Sequence, residues 1–183
     1  MALLLCDLDD TLVDRGRIFG QWVADFTRPY GVSDQDLAWI DALDDGGLTP
    51  RADFFAGLVQ RLRLPVPVPD LVDEWTNDFP RRYRCDPGVR EGLRDARARG
   101  WSLGVVTNGD ATVQGRKATA AGLDELVDAE CITGALGVRK PERRIIELAA
   151  ERAGAALDNG WMIGDNPEAP DPAAAIRYVL AAR

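Results

Sequence analysis

Three aspartates follow the first apolar segment of the sequence within four positions. Asp7, Asp9 and Asp10 come directly after the run Leu3-Leu4-Leu5-Cys6, and Thr11 follows them. Carboxylates can bind a hard cation such as Mg²⁺, act as nucleophiles, or donate and accept protons. The same letters also fit an ordinary strand that ends in a solvated turn, so this segment alone does not establish a site.

Two later segments could act on a phosphate group. Thr107-Asn108-Gly109 follows the apolar run "SLGVV", and Lys140 lies in the loop "GVRKPE". Thr107 and the backbone amides around Asn108 can donate hydrogen bonds to phosphoryl oxygens at the start of a helix. Lys140 can neutralise the remaining negative charge.

A fourth segment, Gly164-Asp165-Asn166, follows the run "WMI". Asp165 can join Asp7 in holding Mg²⁺, which prefers oxygen ligands and keeps several waters. Each segment is a weak signal alone, but all four follow predicted strands. Because parallel α/β sheets bind ligands outside the carboxyl ends of their strands, we expect these residues to meet there.

The absence of histidine removes several alternatives. With no histidine in 183 residues, a Ser-His-Asp triad, a Cys-His pair and a histidine-ligated zinc site are all excluded. Hydrolytic chemistry must therefore use carboxylates, lysine, hydroxyl groups or a metal ion bound by oxygen.

The order of predicted elements supplies the scaffold. A buried strand ends at Cys6, and residues 15–83 contain four amphipathic helical patterns. From residue 84 onward helices and strands alternate, which predicts an α/β fold with a parallel sheet core flanked by helices on both faces. The C-terminal segment "IRYVLA" is ambiguous, and its branched and aromatic residues favour an edge strand over a helix.

Composition limits the partners. The net charge of −8 argues against binding to nucleic acid or to anionic lipid, but not against a small phosphorylated substrate beside a metal ion. No apolar run is long enough to predict a membrane span. Three widely spaced cysteines predict reduced structural thiols and a cytoplasmic location.

The four segments together resemble the haloacid dehalogenase superfamily, phosphatase type. The resemblance rests on "DLDDT", "VVTNG", Lys140 in "GVRKPE" and "IGDN", and covers nearly the whole chain. It implies a Rossmann-like catalytic core of residues 1–14 and 84–183. Residues 15–83 would form a small α-helical cap domain, inserted after the first strand.

The same resemblance implies the roles of individual residues. Asp7 is the expected nucleophile, which forms an aspartyl-phosphate, and Asp9 the expected acid and base. The predicted metal ligands for the Mg²⁺ cofactor are Asp7, Asp9 and Asp165. The residues predicted to bind phosphate are Thr107, Asn108, Gly109 and Lys140, and of these Thr107 and Lys140 are also expected to be catalytic.

Two features leave alternatives open. A further acidic residue usually follows the last motif, and here either Glu168 or Asp171 could support the metal, while the C-terminal region is short. The predicted activity is hydrolysis of a small phosphomonoester by a monomer or homodimer. A sugar phosphomutase with the same motifs and a catalytically poor phosphate- or metal-binding protein remain alternatives.

Overall fold

The computed structural model describes residues 2–165 and 172–181. The strands are β1 (Leu3–Cys6), β2 (Ser102–Thr107), β3 (Ala129–Ile132) and β4 (Gly160–Ile163). The helices are α1 (Arg15–Thr27), α2 (Asp34–Asp44), α3 (Arg51–Leu62), α4 (Val68–Asp78), α5 (Pro87–Ala98), α6 (Ala111–Ala120), α7 (Thr133–Leu136), α8 (Arg143–Arg152) and α9 (Pro172–Ala181). Among these helices, none is long and apolar enough to cross a membrane.

Within the described residues the strands form one parallel sheet in the order β3-β2-β1-β4. β1 pairs with β2 on one side and with β4 on the other, so Cys6 lies opposite both Val105 and Ile163. The predicted parallel α/β fold is therefore confirmed. Strand order reverses beside β1, and in parallel α/β sheets such a reversal marks the crevice where ligands bind, outside the carboxyl ends of the strands.

The sheet is buried on both faces because successive side chains of a strand point in opposite directions. Leu3 and Leu5 of β1 pack with Val106 of β2 against Ile145 and Ala149 of α8. The other face of β2 is covered by α5, which also packs against α9. All four residues of β1 are buried, which explains why its sequence is continuously apolar rather than alternating.

The prediction of a C-terminal edge strand is wrong, because Pro172–Ala181 is a helix. A strand would put Ile176 and Tyr178 on the same face, yet Ile176 is fully buried and Tyr178 is 66% exposed. Val179 is buried beside Ile176, as helical spacing requires. Gly92 of α5 lets α9 approach closely, since a Cβ there would lie 2.9 Å from Cγ2 of Ile176.

The alternatives for a second acidic residue near the metal lie outside the described residues. Glu168 and Asp171 both fall between Asp165 and Pro172, as does Asn166 of the last motif. The choice between Glu168 and Asp171 stays a prediction.

The helices α1 to α4 form a separate unit with its own core. Asp44 is buried there; it accepts a hydrogen bond from Arg15 at 2.5 Å and forms a second ion pair with Arg51 at 2.9 Å. Trp75 stacks on Phe79 at 3.6 Å between ring centroids. This paired charge and the aromatic packing give residues 15–82 a core independent of the sheet.

The chain divides into two compact units, Met1–Asp14 with Tyr83–Arg183 and Arg15–Arg82. The division differs from the predicted one at Tyr83. The Tyr83 side chain is fully buried, and the ammonium group of Lys117 in the sheet unit lies 4.8 Å from its ring centre. The role of the helical unit as a cap stays a prediction.

All three cysteines are buried free thiols. Burial raises the pKa of the Cys6 thiol to about 12 and that of Cys85 to about 11. Because the thiolate is the reactive species, these groups are chemically quiet at neutral pH. Their structural role fits the sequence analysis, while the cytoplasmic location and the oligomeric state stay predictions.

The packing of α9 generates the first testable prediction. Ile176→Ala should lower the free energy of unfolding by about 2–4 kcal/mol, because it removes a buried side chain and leaves a cavity against α5. Arg177→Ala, at an exposed position of the same helix, should change it by less than about 0.5 kcal/mol. Urea denaturation followed by circular dichroism measures both values. Equal losses in the two variants would contradict the buried position of Ile176.

Candidate functional site

Asp7 is the first residue after β1 and is 9% exposed. Its backbone N–H donates to the Ile163 carbonyl at 2.8 Å, which extends the ladder between β1 and β4 by one bond. Oδ1 of its carboxylate accepts from the Leu8 N–H at 2.7 Å, and Oδ2 lies 2.6 Å from Nζ of Lys140. The sheet therefore places one carboxylate at the crevice with a fixed orientation and a matched positive charge.

The loop after Asp7 is a tight turn closed by backbone hydrogen bonds. The Leu8 carbonyl accepts from the N–H groups of Leu12 at 3.0 Å and Val13 at 3.2 Å, and the Asp10 N–H donates to the Val13 carbonyl. Asp10 has a φ of +55°, a left-handed conformation that aspartate tolerates better than most residues. This turn gives Asp7 and Asp9 separate, defined positions.

Lys140 is held in place by Asn108. Oδ1 of Asn108 accepts from the Lys140 N–H at 2.9 Å, and its Nδ2 donates to the Lys140 carbonyl at 3.3 Å. The amide side chain thus binds the backbone of Lys140 as a neighbouring strand would. The predicted contact between phosphate and the backbone amide around Asn108 stays a prediction, while the side chain of Asn108 positions the lysine.

Asp165 follows β4 and influences Asp7 electrostatically. Burial raises the pKa of Asp7 above its ordinary value; the Lys140 ammonium and the Leu8 amide lower it, and the charge of Asp165 raises it further. Strand order explains this proximity, because β1 and β4 are adjacent and parallel, and Asp7 and Asp165 both follow their carboxyl ends.

The fit of this site to Mg²⁺ depends on oxygen ligands. Asp7 and Asp165 supply two carboxylates, which suits an ion that keeps several waters. Among the described residues, no group of three or more carboxylates and thiols lies close enough to hold a metal ion. The Asp9 carboxylate, also a predicted ligand, is bound by two side chains of α6.

Those two side chains, Lys117 and Gln114, were not predicted. Nζ of Lys117 lies 2.7 Å from Oδ2 and 3.0 Å from Oδ1 of Asp9. Nε2 of Gln114 donates to Oδ2 of Asp9 at 3.0 Å and to Oγ1 of Thr107 at 2.7 Å. Gln114 therefore connects the acidic loop after β1 to the hydroxyl group at the end of β2.

A sequence signal for these residues exists. Gln114, Lys117, Ala118 and Ala121 follow the spacing of one helix face, and all four are buried. The alanines indicate that this helix face is buried. A long polar side chain on a buried face is unusual unless it has a partner, so Gln114 and Lys117 could have been singled out. The two lysines of the chain, Lys117 and Lys140, each form an ion pair with an aspartate of the first motif.

Gly109 has a structural part in the site. Its φ of +142° is rarely adopted by other residues, and a Cβ would lie 2.9 Å from Cγ of Gln114. Its N–H donates to Oγ1 of Thr133 at 3.0 Å. Its predicted contact with phosphate stays a prediction; in the structure its conformation makes room for Gln114 and its N–H donates to Thr133.

Comparison with known proteins identifies the family of this chain. A sequence profile described as "Hydrolase: haloacid dehalogenase-like hydrolase" matches residues 1–175. The chain belongs to this family. The predicted resemblance and the prediction of a hydrolase are thereby confirmed.

Individual relatives are phosphatases at low identity. A phosphoserine phosphatase of Thermus thermophilus is 28% identical over 204 residues, covering 92% of this chain and 82% of that protein. A glyceraldehyde 3-phosphate phosphatase of Pyrococcus abyssi is 26% identical over 181 residues, covering 90% and 73%. The solved structure of a haloacid dehalogenase-type phosphatase from Thermococcus onnurineus has a TM-score of 0.59 and 24% identity, covering 91% of this chain and 78% of that one. This last likeness supports the fold alone.

The contact between Asn108 and Lys140 generates a second prediction. Asn108→Ala should lower the free energy of unfolding by about 1–2 kcal/mol, because two partly buried hydrogen bonds to the Lys140 backbone are lost. Asn108→Asp should cost less, since a carboxylate oxygen can still accept from the Lys140 N–H. Urea titrations of the parent and both variants measure these differences. If both substitutions lowered the free energy of unfolding by the same small amount, the side chain of Asn108 would not be holding the loop.

Proposed function

We propose that this protein hydrolyses a small phosphomonoester through an aspartyl-phosphate intermediate on Asp7, with Mg²⁺ as cofactor. The observation that carries the proposal is the position of Asp7, a nearly buried carboxylate at the carboxyl end of the central strand, 2.6 Å from the Lys140 ammonium. Membership in the hydrolase family and the phosphatase relatives support the same reaction class.

In the first step an Asp7 oxygen attacks phosphorus, and the bond between phosphorus and the ester oxygen breaks. Asp9, in its protonated form, gives a proton to the departing oxygen, so the alcohol leaves neutral and Asp9 becomes the carboxylate that Lys117 and Gln114 bind in the structure. In the second step water attacks the phosphorus of the aspartyl-phosphate, and Asp9 takes up a proton from that water. Inorganic phosphate and free Asp7 result. A carboxylate nucleophile divides one difficult displacement into two easier ones.

The phosphate-binding groups have distinct tasks in this proposal. Lys140 neutralises charge on both the nucleophile and the phosphoryl group, since its ammonium already contacts Oδ2 of Asp7. The Thr107 hydroxyl accepts a hydrogen bond from Gln114 at 2.7 Å and donates a long one to the Asn108 carbonyl at 3.4 Å; in the proposal a phosphoryl oxygen replaces that carbonyl as the acceptor. The backbone amide of Asn108 is the proposed third donor.

Mg²⁺ would be held by Asp7 and Asp165 together with water. When bound, the ion neutralises negative charge shared by the two carboxylates and the phosphate. The mutual effect of these carboxylates supports the assignment, because Asp165 raises the pKa of Asp7 and a divalent cation would relieve that repulsion. Asp9 is not part of the proposed metal set, because Lys117 and Gln114 bind its carboxylate.

The substrate class follows from chemistry and from the relatives. The Thermus thermophilus relative is a phosphatase of phosphoserine and the Pyrococcus abyssi relative one of glyceraldehyde 3-phosphate. Both compounds are small phosphomonoesters with an alcohol leaving group. An alkoxide is a poor leaving group, so the proposal requires a proton donor such as Asp9.

The nucleophile is tested by a matched pair of substitutions in one loop. Asp7→Asn should abolish phosphate release from p-nitrophenyl phosphate in the presence of Mg²⁺, because a neutral amide cannot attack phosphorus. Asp10→Asn should retain the parent's turnover, since Asp10 is exposed and asparagine also tolerates its left-handed backbone. Phosphate release is measured alongside circular dichroism of each variant.

Two outcomes would contradict the proposed reaction. Activity that survives in Asp7→Asn would remove Asp7 from the nucleophile role. A parent that isomerises a sugar monophosphate but releases no phosphate from any ester would be a phosphomutase.

The proposed Mg²⁺ site leads to a further prediction. EDTA should abolish turnover of the parent, and added Mg²⁺ should restore it. Asp165→Asn should raise the Mg²⁺ concentration needed for half-maximal activity by about tenfold or more, because one of two charged ligands is lost. Asp10→Asn is again the control and should need the same Mg²⁺ concentration as the parent. Full activity of the parent in EDTA would contradict the proposed cofactor.

A further inference from the structure

The buried ammonium group of Lys117 takes no direct part in the proposed reaction. Its side chain is 6% exposed, yet α6 buries it beside the small residues Ala118 and Ala121. Burying a charged group is costly unless it is paired, so a position needed only for packing would be better served by an apolar residue. Here the charge is matched by the Asp9 carboxylate, and the ammonium also lies 4.8 Å from the Tyr83 ring centre.

We propose that Lys117 is a positioning residue that holds the proposed acid and base, Asp9, in its reactive orientation. The proposal rests on the proposed function, because it concerns the residue assigned to leaving-group protonation. Lys117 acts through Asp9 and has no direct contact with the reacting atoms in this scheme. Gln114 has a supporting part, since it binds both Asp9 and Thr107.

The hydrogen bonds define which carboxylate oxygen of Asp9 is available. Oδ2 accepts from Lys117 at 2.7 Å and from Gln114 at 3.0 Å, whereas Oδ1 accepts from Lys117 at 3.0 Å. Oδ1 is thus the less occupied oxygen and has more room to face a reacting group. Two donors from one rigid helix fix both the position and the rotation of the carboxylate.

The geometry of Lys117 also links two separate parts of the chain. Asp9 lies in the turn after β1, whereas Lys117 and Gln114 are one helical turn apart on α6. The backbone of the turn alone leaves the side-chain rotamer of Asp9 undetermined. Because small displacements of a catalytic group can reduce a rate by about 10²-fold, this restraint has a kinetic consequence.

The test compares two aryl phosphates of similar shape. Phenolate is a more basic leaving group than p-nitrophenolate, so phenyl phosphate depends more on a proton donor. The values of kcat/KM are suitable because they report the first step, in which the leaving group departs. Asp9→Asn should lower kcat/KM for phenyl phosphate far more than for p-nitrophenyl phosphate.

Lys117→Met should reproduce this selective loss. We expect a decrease in kcat/KM of about 10- to 100-fold on phenyl phosphate and a clearly smaller one on p-nitrophenyl phosphate. Inhibition by inorganic phosphate should change by no more than about twofold, since phosphate binding does not use Asp9. In the double variant with Asp9→Asn, the substitution Lys117→Met should add no further selectivity between the two esters.

Two further variants separate positioning from general damage. Lys117→Arg keeps the charge and should recover part of the loss on phenyl phosphate. If Lys117→Met failed to fold, the arginine variant would still test the proposal, because its altered geometry should shift the ratio between the esters. Arg94→Met removes an exposed charge from α5 and should leave the ratio unchanged.

The outcomes distinguish this inference from the proposed function. Equal losses on both esters in Lys117→Met, or an unchanged ratio in Lys117→Arg, would overturn the positioning role while leaving the reaction intact. A parent that releases no phosphate from either ester, or an Asp7→Asn variant that remains active, would instead overturn the proposed function.

Discussion

The contact between Asp7 and Lys140 is the interaction on which the rest of the site depends. A carboxylate that is 9% exposed requires a positive partner, and Lys140 reaches it from the loop between α7 and α8. That loop is held by Asn108, which follows β2. Segments that follow three different strands therefore meet at this ion pair, although they lie far apart in the sequence.

Strand order determines which residues can share this point. Because β1 lies between β2 and β4, the end of β1 is next to the groups after β2 and the carboxylate after β4. A sheet in simple chain order would put two strands between β1 and β4 and so separate Asp7 from Asp165 by three strand spacings, about 14 Å. The crossover from β3 to β4 is therefore as important to the proposed chemistry as the acidic residues.

The sequence predicts the central strands more accurately than the C-terminal helix and the contacts around Asp9. Continuous apolar runs identify β1 and β2, because a strand that is buried on both faces carries apolar residues at nearly every position. The polar residues that follow these runs identify the site. The C-terminal helix was missed because the β propensity of "IRYVLA" was outweighed by packing of Ile176 against Gly92, a contact that local pattern cannot reveal. Lys117 and Gln114 were missed because polar residues on a helix usually face solvent. Their partners, Asp9 and Thr107, are known only from the fold.

The choice of lysine over arginine is itself informative for the proposed reaction. The chain has two lysines, its other basic residues are arginines, and both lysines pair with aspartates of the first motif. The planar guanidinium of arginine tends to bind both oxygens of a carboxylate at once. At Asp7 the Lys140 ammonium lies 2.6 Å from Oδ2, and Oδ1 accepts a hydrogen bond from the Leu8 N–H. One lone pair of the nucleophile thus stays available for phosphorus, which a bidentate arginine would obstruct.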